Sequence, residues 1–287
     1  MHSKHNKNNA GPADPWADLQ NLHTHTVYCD GALSAEEMVI AAIEKQCGTI
    51  GFSEHSNVWF IEGTYSMSPE TNLAYIQEIR RLKEKYGGRI GIYLGIEQDY
   101  FTEIPTDGFD YVIGAVHYVK KGGYYVSVDH DAREVLRQVN VYYGGDFYAF
   151  AEDYYSNLSG IVKKTGADII GHFDVVAKNN FDGSQFDETH PAYMGAALSA
   201  MDEILKDCKL FEVNTGAMYR INKTVPYPSP LLLKELRRRG GEVILSSDSH
   251  DSASLCYKYG EMRELLGACG FKYIKRLTDG GFTDIRI

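Results

Sequence analysis

Alternation between short β-rich segments and amphipathic helical segments is the feature that most limits the fold of this 287-residue chain. Seven apolar segments have the length and side-chain composition of strands, and helical periodicity separates most of them. The predicted strands cover residues 19–24, 49–53, 90–96, 111–116, 168–171, 210–214 and 242–246. Strands that alternate with helices pair in parallel, so the sequence predicts an α/β fold built from βα units.

The helical segments carry recognisable start signals. Ser34 followed by Glu37 is a capping-box pattern at the start of the first helix. The predicted helices cover residues 34–46, 69–86, 152–165, 191–207, 229–239 and 258–268. Residues 120–150 are rich in Tyr and Gly and have weak periodicity, so we predict a long loop there with one helical piece, in a position to act as a lid.

Domain organisation follows from what the chain lacks between these segments. No Pro-rich or Ser-rich linker interrupts residues 19–287, and α/β barrels of ~250 residues fold as one unit. We predict a flexible N-terminal extension over residues 1–18 and a single barrel domain over residues 19–287. No run of ~20 apolar residues indicates a membrane helix, and the first residues lack the apolar stretch of a secretory signal.

Charge and cysteine content narrow the class of protein further. The net charge of −10, from 39 acidic and 29 basic residues, weighs against an extended nucleic-acid surface. The five cysteines are odd in number and lack C-x-x-C spacing, which favours reduced thiols in the cytoplasm over a disulfide framework. We therefore expect a cytoplasmic protein whose partner is a small molecule, neither a nucleic acid nor a membrane.

Histidines and carboxylates stand at the ends of the predicted strands. They are His23, His25, His55, Glu97, His117, His172, Asp248 and His250. The carboxyl ends of all strands of a βα barrel meet on one face, so these side chains converge there. Imidazole nitrogen and carboxylate oxygen are ligands for Zn, Mn or Fe. A single histidine at a strand end is usually a hydrogen-bonded surface or core residue, but their convergence favours a metal site.

Six short motifs bear a family resemblance. They are LHTHT at 22–26, GFSEH at 51–55, GIE at 95–97, GAVH at 114–117, GHFD at 171–174 and SDSH at 247–250. In this order they resemble the motifs of the PHP (polymerase and histidinol phosphatase) superfamily, over residues 19 to about 270. The segment around His117, the Tyr-rich insertion after it, the segment starting at Glu212 and the Tyr227-Pro-Ser segment look most like the histidinol-phosphate phosphatases.

The resemblance implies a distorted (β/α)7 barrel of PHP type that holds three divalent metal ions (Zn, Mn or Fe). It assigns the first ion to His23, His25, Glu97 and Asp248, the second to Glu97, His117 and His172, and the third to Asp30, His55 and His250. Many relatives have His where this chain has Asp30. Asp30 still offers an oxygen ligand, but Asp-Gly is also a common turn signal, so both interpretations stay open.

The resemblance also implies an activity: hydrolysis of L-histidinol phosphate to L-histidinol and phosphate in histidine biosynthesis, by attack of a metal-bound hydroxide. Asp248 and Glu97 are the predicted catalytic residues. Arg220 and Lys178 are the predicted phosphate-binding residues, because relatives tend to carry basic residues near both places; the alternative is a solvated surface charge. The alternative functions are a PHP-type nuclease or nucleotide phosphoesterase and, less favoured, a non-catalytic module.

Supporting roles are assigned to residues next to the motifs. Glu54 and Asp174 could accept hydrogen bonds that orient a histidine, and Asp174 could instead cap a helix. Asp131 or His130 could protonate the leaving group, although a water molecule could do the same. The aromatic side chains of the insertion, Tyr118, Tyr124 and Tyr125, could receive the imidazole ring of the substrate or could pack the rim of the barrel.

Overall fold

The seven predicted strands all occur in one sheet of the computed structural model, which describes residues 19–60, 65–181 and 183–287. The strands in these ranges are β1 (Gln20–Asn21), β2 (Thr49–Phe52), β3 (Gly91–Asp99), β4 (Tyr111–Ala115), β5 (Tyr118–Lys121), β6 (Tyr124–Ser127), β7 (Ile169–Ile170), β8 (Leu210–Asn214), β9 (Glu242–Ser246), β10 (Tyr273–Thr278) and β11 (Gly281–Arg286). The helices in these ranges are α1 (Ala35–Glu44), α2 (Pro69–Tyr86), α3 (Ala132–Tyr143), α4 (Phe147–Ser159), α5 (Ile161–Thr165), α6 (Pro191–Ile204), α7 (Gly216–Arg220), α8 (Pro230–Arg238) and α9 (Tyr259–Ala268), with a 3-10 turn at Val175–Ala177. The predicted extension over residues 1–18 lies outside the described residues.

The central sheet is parallel and almost closes on itself. Its strand order is β1-β2-β3-β4-β7-β8-β9, and every neighbouring pair is parallel. Just beyond β1 and β9, the His25 N–H donates to the Ser249 carbonyl at 2.8 Å and the Ser249 N–H donates to the His23 carbonyl at 2.9 Å. These bonds join the first and last strands of the sheet, which confirms the predicted distorted (β/α)7 barrel.

A buried tyrosine ties several strands together inside the barrel. The Tyr111 side chain is fully buried; its hydroxyl donates to the Leu22 carbonyl and lies 3.0 Å from the Phe52 carbonyl oxygen. A Cβ atom on Gly95 would lie 2.2 Å from the Tyr111 ring, so only glycine allows this approach. The ring therefore holds the ends of β1, β2 and β3 in register below the motif residues.

Most predicted helices are present, and local signals explain where they begin. The Ser34 hydroxyl accepts from the Glu37 N–H, and the Glu37 carboxylate accepts from the Ser34 N–H, so the capping box forms. The predicted helix over 152–165 is instead two helices, α4 and α5, which meet at Gly160. Helix α4 begins at Phe147 because the Asp146 carboxylate caps its first turn. No helix in the described ranges combines the length and apolarity needed to cross a bilayer.

The prediction for residues 120–150 is wrong about the long loop, although the helical piece expected there is present as α3. This segment holds most of the antiparallel β5–β6 hairpin, all of α3 and the start of α4. Gly122 and Gly123 form its tight turn with φ angles of 57° and 88°, which most other residues avoid. The Gly-Gly pair between two short Tyr- and Val-containing runs is the hairpin signal in the sequence.

A second hairpin, β10–β11, ends the chain and has no counterpart in the sequence predictions. Its strands pair antiparallel around the turn after Thr278. The Gln20 side chain anchors it to β1, because it donates to the Leu277 carbonyl at 2.9 Å and accepts from the Leu277 N–H at 2.8 Å. Asp279-Gly280 is the turn signal that predicts this hairpin.

Candidate metal centre

Glu97, on β3, lies at the centre of the converging motif residues and is fully buried. Its Oε1 atom lies 2.9 Å from His172 Nε2 and 3.3 Å from His117 Nε2. These two imidazole nitrogens are themselves only 3.3 Å apart. One oxygen of Glu97 therefore meets the two histidines from the ends of β4 and β7.

The second oxygen of Glu97 faces another group of ligand atoms. Its Oε2 atom lies 3.4 Å from His23 Nε2 and 3.6 Å from His25 Nε2. Asp248 Oδ1 completes the group, at 3.7 Å from His23 Nε2 and 3.3 Å from His25 Nε2. Ligands bonded to one ion at ~2.1 Å lie roughly 3–3.5 Å from one another, so the spacing of these atoms fits a shared ion.

Unpaired buried nitrogens give the strongest indication that an ion belongs there. Neither His23 Nε2 nor His25 Nε2 has a hydrogen-bond partner in the described part of the chain, although both side chains are fully buried. A buried polar atom without a partner costs roughly 1–3 kcal/mol. A divalent cation would satisfy both nitrogens and both facing carboxylates at once, so the donor set fits a metal.

A third group lies beside the first and is more accessible to solvent. Asp30 Oδ2 lies 3.2 Å from His250 Nε2 and 3.7 Å from His55 Nε2, and His25 borders the same group. The Asp30 side chain thus faces this group of ligand atoms. The backbone at Asp30-Gly31 also forms a turn, in which the Gly31 N–H donates to the Thr26 carbonyl. The two predicted interpretations of Asp30, as ligand and as turn residue, are compatible.

The pair Asp248 and His250 does not face a single group of ligand atoms. Asp248 lies with His23 and His25, whereas His250 lies with Asp30 and His55. Asp248 has a left-handed backbone, with φ of 44°, which turns its side chain inward. Side chains two residues apart on a strand point to the same side, which predicts that Asp248 and His250 bind one ion together. The structure instead places them in two neighbouring groups, in the arrangement that the resemblance implies.

Carboxylates behind the histidines hold the rings in place. His23 Nδ1 lies 2.8 Å from Glu212 Oε2, and His117 Nδ1 lies 3.2 Å from Asp99 Oδ2. Glu212 also accepts from the His172 N–H at 2.5 Å and from the Ser246 hydroxyl at 2.5 Å. A bond from Nδ1–H to a carboxylate leaves Nε2 unprotonated, which is the form that binds metal.

Sequence reasoning assigned no role to Glu212 or Asp99. Signals for both exist in the sequence. Glu212 is an acidic residue between the apolar residues Phe211 and Val213 of β8, and a buried carboxylate needs a partner. Asp99 lies two residues beyond Glu97 on β3, so both side chains leave the strand on the same side.

Electrostatic coupling within the cluster is strong. Burial lowers the pKa of His55, but the carboxylates of Glu97 and Asp30 outweigh it and raise that pKa to about 9. Burial, together with the nearby His250 and His55 rings, lowers the pKa of His25 to about 3. Burial raises the pKa of the Glu97 carboxyl, but the surrounding histidines lower it more, to well below its ordinary value. Glu97 is therefore a permanent anion among imidazoles of unequal proton affinity.

The two predicted phosphate-binding residues lie at different sides of the cluster. Arg220, at the end of α7, donates to the Asp248 carbonyl at 2.6 Å and to Asp248 Oδ2 at 2.8 Å. Lys178, just after the 3-10 turn, donates to the Asp129 carbonyl and lies 3.8 Å from Asp129 Oδ2. Neither side chain is a freely solvated charge, since each is held by a neighbouring acidic residue.

Glu54 and Asp174 have partners other than those expected. The Glu54 carboxylate accepts from the Thr26 hydroxyl at 2.6 Å and from the Cys29 thiol at 2.7 Å. It reaches a histidine only indirectly, because Cys29 Sγ lies 3.3 Å from His25 Nδ1. Asp174 accepts from the Ser229 N–H at 2.9 Å, and its side chain makes no capping bond to the 3-10 turn that follows it.

A cavity of about 300 Å³ opens above the cluster. Its lining includes the ligand candidates Asp30, His55, Glu97 and His117 and, around its mouth, Tyr118, Asp129, His130, Asp131 and Lys178. This volume lies at the lower end of the range for small-ligand sites. Asp131 is partly committed elsewhere, because its Oδ1 atom caps α3.

The three tyrosines proposed for ring recognition separate in the structure. Tyr118 lines the cavity above the cluster. Tyr125 lines a neighbouring, more open pocket and stacks on Phe60 with ring centroids 3.6 Å apart. Tyr124 is exposed and packs against Tyr142. Of these three tyrosines, Tyr118 is the one in position to touch a ligand in the cavity beside the ligand candidates.

Comparison with known proteins identifies similar sequences and folds. The family model described as PHP domain matches residues 21–216. A probable histidinol-phosphatase of Deinococcus radiodurans is 28% identical over 85% of this chain and 90% of its own length. The histidinol-phosphatase of Bacillus subtilis is 24% identical over 83% of this chain and 95% of its own length. The histidinol phosphate phosphatase of Lactococcus lactis, solved with zinc, L-histidinol and phosphate, has a similar fold, with a TM-score of 0.63 and 21% identity over 93% of this chain and 99% of that one.

Proposed function

Because this chain belongs to the PHP domain family, we propose that it is a metal-dependent phosphomonoesterase that hydrolyses L-histidinol phosphate to L-histidinol and phosphate. The observation that carries the proposal is the convergence of unpaired buried imidazole nitrogens and carboxylate oxygens on Glu97, at the bottom of a cavity sized for a small molecule. The names of the relatives, which span nearly the same length, support the choice of substrate.

We assign three divalent ions to the three groups of ligand atoms. The first is held by His23, His25, Glu97 and Asp248, the second by Glu97, His117 and His172, and the third by Asp30, His55 and His250. Zn, Mn or Fe suits these nitrogen and oxygen ligands. Such ions supply positive charge for the phosphate oxygens and make water more acidic.

The residues of the chain prepare this site for a phosphate ester. Glu97 and Asp248 are the residues on which catalysis depends, because each contributes a buried carboxylate to the first group. Glu212 and Asp99 fix the histidine rings, so that Nε2 faces the group in each case. Ligand atoms already in position need little rearrangement when the transition state forms.

Two cations are proposed to bind the outer oxygens of the phosphate. Arg220 uses Nη1 and Nη2 for Asp248, and Nη1 also lies 2.8 Å from His250 Nδ1. A guanidinium has five N–H donors, so others remain for an anion. Lys178 lines the cavity, and its ammonium group has three donors. Arg220 would reach the phosphate from beside Asp248, and Lys178 from the wall of the cavity.

The rim of the cavity is proposed to select the rest of the substrate. The Tyr118 ring offers a face for an imidazole group, and Asp129 and Asp131 offer negative charge to an ammonium group. An acidic cavity suits a small ester with a cationic amine better than a polynucleotide. This is the feature that favours a monoesterase over a PHP-type nuclease.

The test is a substrate panel with a protein of measured metal content. We expect phosphate release from L-histidinol phosphate to exceed release from p-nitrophenyl phosphate, and expect no cleavage of a dinucleotide or of single-stranded DNA. Chelation should abolish the reaction, and added metal should restore it. Cleavage of the dinucleotide or the DNA without release of phosphate from L-histidinol phosphate would indicate a PHP-type nuclease instead. If the protein binds two or more ions and cleaves none of these substrates, the proposal that it is an enzyme is wrong.

A further inference from the structure

Two cysteines outside the ligand groups face each other. Cys47 lies between α1 and β2, and Cys256 lies in the turns that follow His250. Their Sγ atoms are 3.5 Å apart. By contrast, the thiols of Cys208 and Cys269 point at backbone carbonyls, those of Asp168 and Pro230. All five cysteines of the chain lie in the described ranges and are free thiols.

Backbone contacts hold the two thiols in this position. The Lys45 ammonium group donates to the Ala253 carbonyl at 2.9 Å and to the Leu255 carbonyl at 3.1 Å. Lys45 follows α1 directly, so these bonds fix the end of α1 against the segment that carries Cys256. A disulfide has an S–S distance of ~2.05 Å, so the sulfur atoms need to approach by roughly 1.5 Å.

We propose that Cys47 and Cys256 are a modification site, at which a hydroperoxide converts the two thiols into a reversible disulfide that slows hydrolysis at the metal centre. The effect on hydrolysis rests on the proposed function, whereas the formation of the disulfide does not. The surroundings of Cys47 favour its thiolate form, which is the form that attacks a peroxide. A hydrogen bond from the Cys256 thiol lowers the pKa of the Cys47 thiol, and the Lys45 charge adds to this, so that together they outweigh burial.

The chemistry needs one molecule of hydrogen peroxide for each disulfide. The Cys47 thiolate attacks one peroxide oxygen, the O–O bond breaks, and the hydroxide that leaves takes up a proton to become water. The Cys256 sulfur then attacks the sulfur of the Cys47 sulfenic acid, and the S–O bond breaks. The departing hydroxide takes the Cys256 thiol proton and becomes a second water. Two thiols are oxidised, and one peroxide is reduced to two waters.

Cys256 is connected to the metal centre through a short hydrogen-bonded path. Its N–H donates to the Ser247 hydroxyl at 3.0 Å, and Ser247 precedes Asp248 in the chain. The Ser247 hydroxyl also lies 2.8 Å from the Ser249 hydroxyl. Cys256 has a left-handed backbone, with φ of 58°, which few non-glycine residues adopt. Movement of its sulfur atom toward Cys47 would therefore be passed on to the backbone around Cys256. Formation of the disulfide would therefore shift the residues that flank Asp248.

Mass spectrometry of the full-length, metal-loaded protein tests the formation of the disulfide directly. After treatment with equimolar hydrogen peroxide, we expect the intact mass to fall by two hydrogen atoms, and a non-reducing peptide map to join the Cys47 and Cys256 peptides. Cys47→Ser should abolish this cross-link, whereas the matched control Cys208→Ser should retain it. A wild-type map without this cross-link, or with a different cysteine pair, would overturn the proposal.

Phosphate release measured on the same samples tests the effect on the site. We expect hydrolysis of L-histidinol phosphate to slow about three- to tenfold on oxidation and to recover with dithiothreitol, while oxidised Cys47→Ser keeps its rate. Equal slowing in Cys47→Ser would place the oxidation elsewhere and overturn the effect on the site, as would an unchanged rate in cross-linked wild type. If the untreated protein releases no phosphate, the proposed function fails, and the peptide map still decides whether the disulfide forms.

Discussion

The floor and the rim of the cavity come from different parts of the molecule. The floor is the buried set of ligand candidates: His23, His25, Glu97, His117, His172 and Asp248. The rim is the set Tyr118, Asp129, His130, Asp131 and Lys178, which follows β4 and β7. The side chains of Glu97 and His23 are 0% exposed, whereas those of His130 and Asp131 are 53% and 64% exposed.

The difference in exposure indicates a difference in role. Floor residues are surrounded by charged partners in fixed positions, so one change there disturbs several contacts at once. Rim residues have solvent on one side, so changes there leave the floor intact. We therefore expect floor variants to lose metal and turnover together, and rim variants to lose substrate affinity while they keep their metal.

The largest effect is expected from Glu97→Gln. The amide removes the negative charge that faces the histidines of two ligand groups, so metal should be lost and the turnover number should fall by on the order of 10²–10³-fold. Elemental analysis and phosphate release measure the two effects. Glu103→Gln makes the same chemical change at an exposed position and should match the wild type. A Glu97→Gln protein with full metal content would contradict the central role of this carboxylate.

A smaller loss is expected from Glu212→Gln. This carboxylate touches no predicted ion but holds His23 Nδ1 and the His172 N–H, and such supporting contacts are typically worth about 10- to 100-fold in metal affinity or activity. Added metal should restore much of the turnover of Glu212→Gln. Excess metal should not restore the turnover of Glu97→Gln. If the two variants respond alike to added metal, the distinction between ligand and supporting carboxylate is wrong.

At the rim, Lys178→Gln should raise KM about tenfold, the equivalent of ~1.4 kcal/mol, because a charge-assisted hydrogen bond to phosphate is lost. The turnover number and the metal content should change little. Initial-rate kinetics with L-histidinol phosphate measure this, with Lys164→Gln on the exposed face of α5 as the control. A loss of metal in Lys178→Gln would show that floor and rim are not independent.

The smallest expected effect is a change in the number of protons that are released when metal binds. The pKa of His55 is raised to about 9 in the metal-free protein, so at pH 7 its ring is protonated, and a metal ion must displace that proton. Metal binding at pH 7 should release about one proton from this residue, and above pH 9 this release should disappear. Calorimetry in buffers of different ionisation enthalpy measures the number. His55→Gln should release about one proton fewer at pH 7, and an unchanged count would remove His55 from the ligand set.

The floor is the part of the site that the sequence predicts best. Residues at the ends of successive parallel strands must meet on one face, so His23, Glu97 and His172 converge for topological reasons alone. Their grouping around separate ions came from the family resemblance, because strand alternation alone does not separate Asp248 from His250. Glu212 and Asp99 were given no role because neither lies in one of the six short motifs, although the segment starting at Glu212 contributes to the family resemblance.

The rim is the part that the sequence predicts least. Segment 120–150 has weak periodicity because its hairpin strands are short and half-exposed. The Gly122-Gly123 turn is therefore the sequence signal that indicates the hairpin. Which tyrosine enters the cavity depends on packing between the hairpin and distant residues such as Phe60. Contacts of this kind are set by tertiary structure, and local sequence patterns do not specify them.

The central claim is that the floor, together with the adjacent group of Asp30, His55 and His250, holds the metal on which phosphate release depends. The most direct measurement is a titration of the metal-free chain with Zn or Mn, in which bound metal and phosphate release from L-histidinol phosphate are recorded together. We predict no release above background without metal, and a rate that rises with occupancy and levels off near about three ions per chain. Release at the full rate from a chain shown by elemental analysis to be metal-free would contradict the account.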